Sequence, residues 1–294
     1  MPGSGFSEAG LQALLDAAAA AARRAGRALM EDFRGAPGGA RAKPGTHPHD
    51  VVADADAAAE ASIRADLAAA CPGSIVVGEE TGTAGADPED GTGRGVRWYV
   101  DPVDGTHNYV RGLPLFCVSI GLTVHGRPVG GCVYEPAQDE LYTALHTDAG
   151  RRLLRDGRPV RPPAPRPVPL VLTDAPRPGA APEAAELELF AALLAAADVR
   201  RIGSAALALA YVATGRADMA VTPDAFAWDC AAGRVLVTAA GCGFATVPAE
   251  PSADRPGAFA AWRPELAELG ATTVGALRRF SYLAGWLEDD TPLA

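Results

Sequence analysis

The sequence places acidic residues directly after two β-rich runs and at the start of a helical pattern. The runs are Ser74–Gly78 and Arg97–Val100. The acidic residues are Glu79, Glu80, Asp101, Asp104 and Asp229. Carboxylates that converge from rigid elements on one cleft repel one another unless cations lie between them. Because Mg²⁺ prefers oxygen ligands and usually completes its shell with waters and a substrate phosphate, the pattern favours phosphoryl chemistry.

Residues 101–106 form the string Asp-Pro-Val-Asp-Gly-Thr. A turn stiffened by the proline allows the side chains of Asp101 and Asp104 and the carbonyl of Val103 to face one side. The amides of Gly105 and Thr106 can then donate to phosphate oxygens. Asp-Pro and Asp-Gly pairs are also common in turns with no ligand, but the position directly after a strand favours a functional site.

Three separated motifs together resemble those of the inositol monophosphatase family, which are lithium-sensitive, Mg²⁺-dependent phosphatases. Residues 78–81 (GEET) resemble the family's G-E-E-[ST], and residues 98–109 resemble W-x-x-D-P-[ILV]-D-G-T-x-N-[FY]. Trp228–Gly233 resembles W-D-x-A-A-G. Their order and spacing also match, and the resemblance extends over about residues 8–247.

The resemblance implies a centre that binds two or three Mg²⁺ ions. Glu79, Asp101 and the Val103 carbonyl would hold the first ion. Asp101, Asp104 and Asp229 would hold the second.

The resemblance also implies a water-activating pair, Thr106 and Asp56, with Glu79 completing the catalytic set. Residues 50–56 resemble the family's D-[LV]-V-T-x-x-D, although Ala53 stands where a threonine is usual. Lys43 is a candidate for a basic residue that the family has before this segment. The implied reaction is in-line attack of an activated water on phosphorus, without a covalent intermediate.

The implied substrate contacts fall into two groups. The first comprises Gly105, Thr106, Asp104 and Asp229, and of these the amides of Gly105 and Thr106 would meet the phosphate. The second comprises Gly203, Ser204 and Ala205. With Ala206 they resemble the family's G-[ST]-A-A segment beside the substrate hydroxyls, although the same residues are also typical of a simple helix start. Thr222 stands where members that act on inositol phosphate usually have glutamate, and Asp224 is an alternative acceptor.

Apolar periodicity predicts how these residues are positioned. In the first half, helices are predicted at Ser7–Phe33 and Asp54–Ala70, with loops at Gly35–His49 and Thr81–Gly95. Strands at Phe116–Val124, Arg127–Tyr134 and Glu140–His146 suggest an antiparallel meander.

A proline-rich stretch, Pro159–Pro169, marks the expected boundary between halves 1–158 and 170–294. In the second half the predicted helices are Pro182–Ala197, Ser204–Thr214, Asp229–Ala240 and Ala271–Leu287. The predicted strands are Leu170–Thr173, Ala217–Val221 and Gly243–Val247, with a further short strand between the first two helices. From Ala249 onward no other element is predicted. The expected fold class is a layered α/β (α+β) sandwich, with an N-terminal antiparallel sheet plus helices and a C-terminal α/β half. The resemblance implies the inositol monophosphatase/fructose-1,6-bisphosphatase fold, with the active site between the halves.

The composition excludes several other classes. Hydrophobic residues make up 48% and charged residues 21%, as in folded globular proteins. Acidic residues outnumber basic ones by 36 to 26 and Lys43 is the only lysine, so we expect no nucleic-acid partner. Five cysteines without zinc-type spacing favour a reducing cytoplasm, and we expect no membrane segment. The Ala-, Arg-, Gly- and Pro-rich composition suggests a GC-rich bacterial genome, and the resemblance implies a homodimer.

The sequence therefore predicts an Mg²⁺-dependent phosphatase for a small phosphorylated substrate. The first expected substrate is myo-inositol 1-phosphate or a related polyol or sugar phosphate. Alternatives are histidinol phosphate, fructose 1,6-bisphosphate, 3′-phosphoadenosine 5′-phosphate or another sugar or nucleoside phosphate, although Asn108-Tyr109 favours the inositol-type branch. A catalytically silent phosphate-binding or regulatory protein is the alternative from another class.

Overall fold

The computed structural model describes residues 6–34, 41–42, 51–52, 54–85, 95–248, 252–253 and 255–283. The helices are α1 Glu8–Arg34, α2 Asp54–Ala70, α3 Thr106–Val110, α4 Ala184–Ala196, α5 Ala205–Thr214, α6 Ala227–Ala239 and α7 Ala267–Leu277. The strands are β1 Arg41–Ala42, β2 Val51–Val52, β3 Ile75–Gly78, β4 Gly82–Ala84, β5 Val96–Asp104, β6 Cys117–Val124, β7 Arg127–Glu135, β8 Glu140–Thr147, β9 Gly150–Arg155, β10 Arg158–Pro159, β11 Leu170–Thr173, β12 Asp198–Arg200, β13 Met219–Ala225, β14 Gly243–Val247 and β15 Gly257–Trp262. Among the helices of these ranges, none is long and apolar enough to cross a membrane.

The first sheet has eight strands in the order β10-β9-β8-β7-β6-β5-β3-β4. The meander from β5 to β10 is antiparallel, as the turns in the sequence predict. At one edge of this meander, β3 and β5 run parallel and pair Gly78 with Val100, a direction that the sequence did not indicate. Parallel pairing brings the residues that follow Gly78 and Val100 to the same edge of the sheet.

Two predicted loops contain short strands. Gly82–Ala84 pairs antiparallel with β3 at the sheet edge, within the segment predicted as the loop Thr81–Gly95. Arg41–Ala42 pairs with Val51–Val52, although the loop Gly35–His49 was predicted to include the first of these strands. The remainder of the loop Gly35–His49 and residues 86–94 of the loop Thr81–Gly95 lie outside the described residues.

Helices cover both faces of the first sheet. On one face, α1 and α2 bury a helical stripe of leucine, isoleucine and alanine side chains against the strands. Ser7 caps α1, because its hydroxyl accepts a hydrogen bond from the Gly10 amide at 3.1 Å. On the other face lie α5 and α6, and α6 approaches closely because Gly131 has no side chain: a Cβ there would lie 2.5 Å from the Ala232 carbonyl oxygen.

The second sheet has the order β12-β11-β13-β15-β14. Parallel pairing of β11 with β12 and β13 agrees with the alternation of strands and helices in this half. β15, which the sequence analysis missed, lies inside the sheet and pairs antiparallel with both β13 and β14. The last helix covers Ala267–Leu277, earlier than predicted, because Pro264 starts a 3₁₀ turn that leads into it.

The two halves share a buried core. One apolar cluster contains Val133 and Tyr142 of the first sheet together with Leu209 of α5, Val235 of α6 and Phe259 of β15. We therefore use the halves 1–158 and 170–294 as names for two consecutive parts of the chain, and their status as separate domains stays a proposal.

A polar cluster ties the end of α5 to the first sheet. The Arg216 guanidinium donates to Tyr142 at 2.8 Å and to Glu140 at 2.7 Å, and the Tyr211 hydroxyl donates to Glu135 at 2.9 Å. Glu135 is fully buried, and desolvation raises its pKa despite its hydrogen bonds. These contacts join β7 and β8 to the C-terminal turn of α5.

Candidate functional site

Three carboxylates converge where β5 meets the start of α6. Oxygens of Asp101, Asp104 and Asp229 all lie within 4.8 Å of one another. Asp101 is 2% exposed and Asp104 is 7% exposed, whereas Asp229 is partly exposed. Such a cluster of hard oxygen donors fits a divalent cation, and the sequence analysis named all three residues.

The local backbone explains how these carboxylates meet. The turn predicted at residues 101–106 begins later than expected, because β5 continues through Asp104. Its pairing with β6 is irregular between Asp101 and Asp104. A β-bulge of this kind changes the direction of side chains along a strand. Asp229 lies in the first turn of α6, where its carboxylate accepts a hydrogen bond from the Phe226 amide at 2.6 Å.

The electrostatics of the cluster also fit a cation. Burial raises the pKa of Asp101 well above its ordinary value, and the charges of Glu79, Asp104 and Asp229 raise it further. A hydrogen bond with Glu79 adds to this shift. Burial, followed by the charges of Asp104 and Glu79, raises the pKa of Asp229 in the same way. A cation between the carboxylates would offset this repulsion.

Glu79 reaches the cluster from the end of β3. Its amide donates to the Val100 carbonyl at 3.1 Å, which continues the parallel pairing of β3 with β5. Glu79 and Asp101, which follow two separate β-rich runs in the sequence, therefore lie side by side, and their side chains share a hydrogen bond.

Glu60 of α2 holds the turn that follows Glu79, and sequence reasoning missed it. The Glu60 carboxylate is fully buried and accepts hydrogen bonds from the amides of Glu80 at 2.8 Å and Thr81 at 3.2 Å. Arg64, one helical turn later, donates to it at 2.8 Å. The i, i+4 spacing of a glutamate and an arginine was the available signal, but such pairs are usually on the solvent face.

Thr106 and Asp56 are in contact. The Thr106 hydroxyl lies 3.1 Å from an Asp56 carboxylate oxygen and 2.9 Å from the Val103 carbonyl oxygen, so both compete for its proton. Asp56, in the first turn of α2, is fully buried. Gly105, directly before Thr106, has φ +102°, and a Cβ there would lie 2.8 Å from the Leu115 carbonyl oxygen, so this position favours glycine. The Val103 amide donates back to Asp101 at 3.0 Å.

Asp104 connects the cluster to the start of α5. Its carboxylate accepts from the Ser204 hydroxyl at 2.6 Å and from the amides of Ala205 at 3.1 Å and Ala206 at 2.6 Å. Burial raises the pKa of Asp104, although these hydrogen bonds act in the opposite direction. Ser204 precedes α5, which begins at Ala205, and Gly203 before it has φ +64°. The predicted substrate segment is thus bound to one of the predicted metal ligands.

The structure separates the two candidates for the missing glutamate. Thr222 is buried in β13, opposite Phe259. Asp224 is exposed, and its charge raises the pKa of Asp229. Of the two side chains, the one whose charge acts on the cluster is Asp224. Lys43, Asp50 and Ala53 lie outside the described residues.

A layered α/β fold with carboxylates gathered at its strand ends is typical of metal-dependent phosphatases. The chain matches the inositol monophosphatase family over residues 11–278 and belongs to that family. It is therefore an enzyme of the phosphoric monoester hydrolase class, and its family is generally metal-dependent.

Individual relatives and structures are similar over most of the chain. Inositol-1-monophosphatase from Mesorhizobium japonicum is 40% identical over 239 residues, 78% of this chain and 84% of that protein. Nus factor SuhB from Haemophilus influenzae is 35% identical over 245 residues, 78% of this chain and 83% of that protein. The structure of extragenic suppressor protein suhB from Bartonella henselae has a TM-score of 0.77 and 32% identity, and covers 91% of this chain and 99% of that chain. The structure of inositol monophosphatase from Anabaena has a TM-score of 0.70 and 29% identity, and covers 94% of this chain and 99% of that chain.

We expect Asp101→Asn to abolish stabilisation by Mg²⁺ and to raise the melting temperature of the metal-free protein at neutral pH. Because the raised pKa values hold protons more tightly in the folded state, the stability of the metal-free protein falls as pH rises above the ordinary carboxyl range of about 4. Asparagine keeps the oxygen that accepts from Val103 but cannot ionise.

Thermal unfolding in EDTA and in Mg²⁺ measures both effects. For the wild type, we expect Mg²⁺ at a hundred times its Kd to add about 2.7 kcal/mol to the free energy of unfolding. An equal Mg²⁺-induced shift in Asp101→Asn would show that the cation binds elsewhere.

We expect Glu60→Gln to lower the free energy of unfolding by about 3 kcal/mol, because the buried Arg64 contact loses its charged partner. Mg²⁺ binding should weaken as well, since the turn after Glu79 keeps only one of its two acceptor oxygens. The matched control is Glu188→Gln, whose exposed pair with Arg279 should contribute less than about 1 kcal/mol. Urea unfolding of both variants tests this difference, and equal losses would contradict it.

Proposed function

We propose that this enzyme hydrolyses a small phosphate monoester in an Mg²⁺-dependent reaction, with myo-inositol 1-phosphate or a related polyol or sugar phosphate as its substrate. The observation that carries the proposal is the cluster of Asp101, Asp104 and Asp229, whose residue Asp101 is joined through Val103 to the Thr106–Asp56 pair. The similarity to proteins named inositol-1-monophosphatase supports the substrate class.

We propose that Glu79, Asp101 and the Val103 carbonyl hold one Mg²⁺ ion and that Asp101, Asp104 and Asp229 hold another. The total is two or three ions. When bound, such ions stabilise negative charge on phosphoryl oxygens and lower the pKa of water.

Thr106 and Asp56 would orient and deprotonate the attacking water. The Thr106 hydroxyl has one proton, which it donates towards Asp56 or Val103, so its lone pairs remain available to accept from water. The buried Asp56 carboxylate can take up the proton through this contact. The water oxygen then bonds to phosphorus while the ester P–O bond breaks. The departing alkoxide takes up a proton from solvent as Asp56 releases its own to solvent, so the products are an alcohol and inorganic phosphate.

The substrate would lie between the two halves. We propose that the amides of Gly105 and Thr106 contact the phosphate. Asp104, Asp229 and the segment from Gly203 to Ala205 would face the alcohol portion. Because the Ser204 hydroxyl and the Ala205 amide already donate to Asp104, these two residues would act on the substrate by orienting that carboxylate. Asp224 would take the place of the usual glutamate.

Phosphate release from a panel of monoesters, with Mg²⁺ and with EDTA, tests the proposal. The panel contains myo-inositol 1-phosphate, histidinol phosphate, fructose 1,6-bisphosphate and 3′-phosphoadenosine 5′-phosphate. We expect Mg²⁺-dependent release, fastest with the inositol ester and inhibited by Li⁺, and a loss of about 10²- to 10⁴-fold in kcat for Asp56→Asn. Unchanged release by Asp56→Asn would contradict its role. The absence of release from every ester would favour the alternative class, a catalytically silent phosphate-binding or regulatory protein. We include that outcome because the chain is similar to proteins named Nus factor SuhB.

We also propose a homodimer in a bacterial cytoplasm, with no nucleic-acid or membrane partner. In the described part of the chain no disulfide joins any of the five cysteines, which fits a reducing compartment. Leu187 and Leu194 lie seven residues apart on α4 and are 49% and 54% exposed, so they offer one apolar face to a second copy. Light scattering at micromolar concentration should give twice the 30.1 kDa chain mass. A monomer across that range would contradict the proposal.

A further inference from the structure

Asn108 is the only asparagine in the sequence, and its side chain lies between the two halves of the protein. Its amide nitrogen donates to the Leu115 carbonyl at 2.7 Å and to the Ile202 carbonyl at 2.7 Å. The Gly203 carbonyl lies 3.4 Å from the same nitrogen. One carboxamide therefore joins the segment before β6 to the segment before α5.

The segment Ile202–Ala206, which we call the α5 entry segment, is held from three sides. Asp104 accepts hydrogen bonds from its C-terminal part, and Asp174, after β11, accepts from the Gly203 amide at 3.3 Å. Asn108 binds its N-terminal part. Gly203 has φ +64°, and a Cβ there would lie 3.2 Å from the Asn108 amide nitrogen, so the close contact favours glycine.

The helix α3 makes Asn108 a rigid link. Tyr109, the next residue, is fully buried, and its hydroxyl donates to Asp32 of α1 at 2.5 Å. Its ring packs against Phe33 and Phe116 with centroid distances of 5.7 and 5.1 Å. Thr106 begins the same helix, so one anchored turn carries both the Thr106 hydroxyl and the contact to the α5 entry segment.

We propose that Asn108 is a positioning residue that places the α5 entry segment against the alcohol portion of the substrate and thereby sets leaving-group selectivity. This inference rests on the proposed function. Two N–H groups of a carboxamide match two carbonyl acceptors, and no other neutral side chain of this size offers them from one atom. Asn108 acts on the segment and not on the reacting atoms, whereas Thr106 and Asp56 act on the water side of phosphorus.

The test measures kcat/KM of the wild type and of the Asn108→Ala variant with two esters. One is the best polyol phosphate of the panel, whose leaving group would contact the segment. The other is p-nitrophenyl phosphate, whose flat leaving group has no hydroxyls to match and departs readily. We expect kcat/KM for the polyol ester to fall on the order of tenfold to a hundredfold, mainly through KM, and that for p-nitrophenyl phosphate to change less than about threefold.

Two further variants keep the test decisive. Gly203→Ala disturbs the same contact from the other side and should give the same split between esters, which covers the case in which Asn108→Ala does not fold. Arg111→Ala changes an exposed residue just after α3 and should leave both esters unaffected. Stabilisation by Mg²⁺ should persist in all three variants.

The outcomes are distinct. Equal losses for both esters, or no loss in a folded Asn108→Ala protein, would overturn the positioning role. A wild-type protein that hydrolyses neither ester would instead overturn the proposed function.

Discussion

Mutual repulsion among buried carboxylates is the constraint on which this structure depends. Asp101, Asp104, Asp229 and Glu79 come from three different elements, and burial removes the water that would otherwise screen their charges. Such a cluster is stable only where rigid elements hold it together. The parallel pairing of β3 with β5 and the close approach of α6 to the glycines of the sheet provide this rigidity.

The polar groups around the cluster have a clear division of labour. Asp101 accepts a hydrogen bond from the Val103 amide and Asp229 accepts one from the Phe226 amide. Asp104 accepts three from the start of α5. Glu60 and Asn108 lie one layer further out, and each fixes a backbone segment. Glu60 and Asn108 therefore position the backbone segments next to the carboxylate cluster without belonging to it.

The sequence predicted the convergence of these acidic residues because Glu79 and Asp101 directly follow β-rich runs and Asp229 opens a helical pattern, and both are local signals. It predicted poorly where long-range pairing decides. β15 is a run of small and aromatic residues without alternation, and its place between β13 and β14 depends on partners far along the chain. The parallel direction of β3 has the same origin. Glu60 was missed because its contacts reach a turn twenty residues later.

The attachment of α5 at both ends has a mechanical consequence. Its first turn is bound to Asp104, and its last turn is bound through Tyr211 and the neighbouring Arg216 to the buried Glu135 cluster. Moving the halves apart would remove the Asp104 acceptor from the first turn of α5 and separate the partly exposed Arg216 guanidinium from the buried Glu135 carboxylate. It would also expose the shared apolar core, which is the largest of these costs. We therefore expect the two halves to move little relative to each other, so that a substrate reaches the carboxylate cluster through movements of individual side chains.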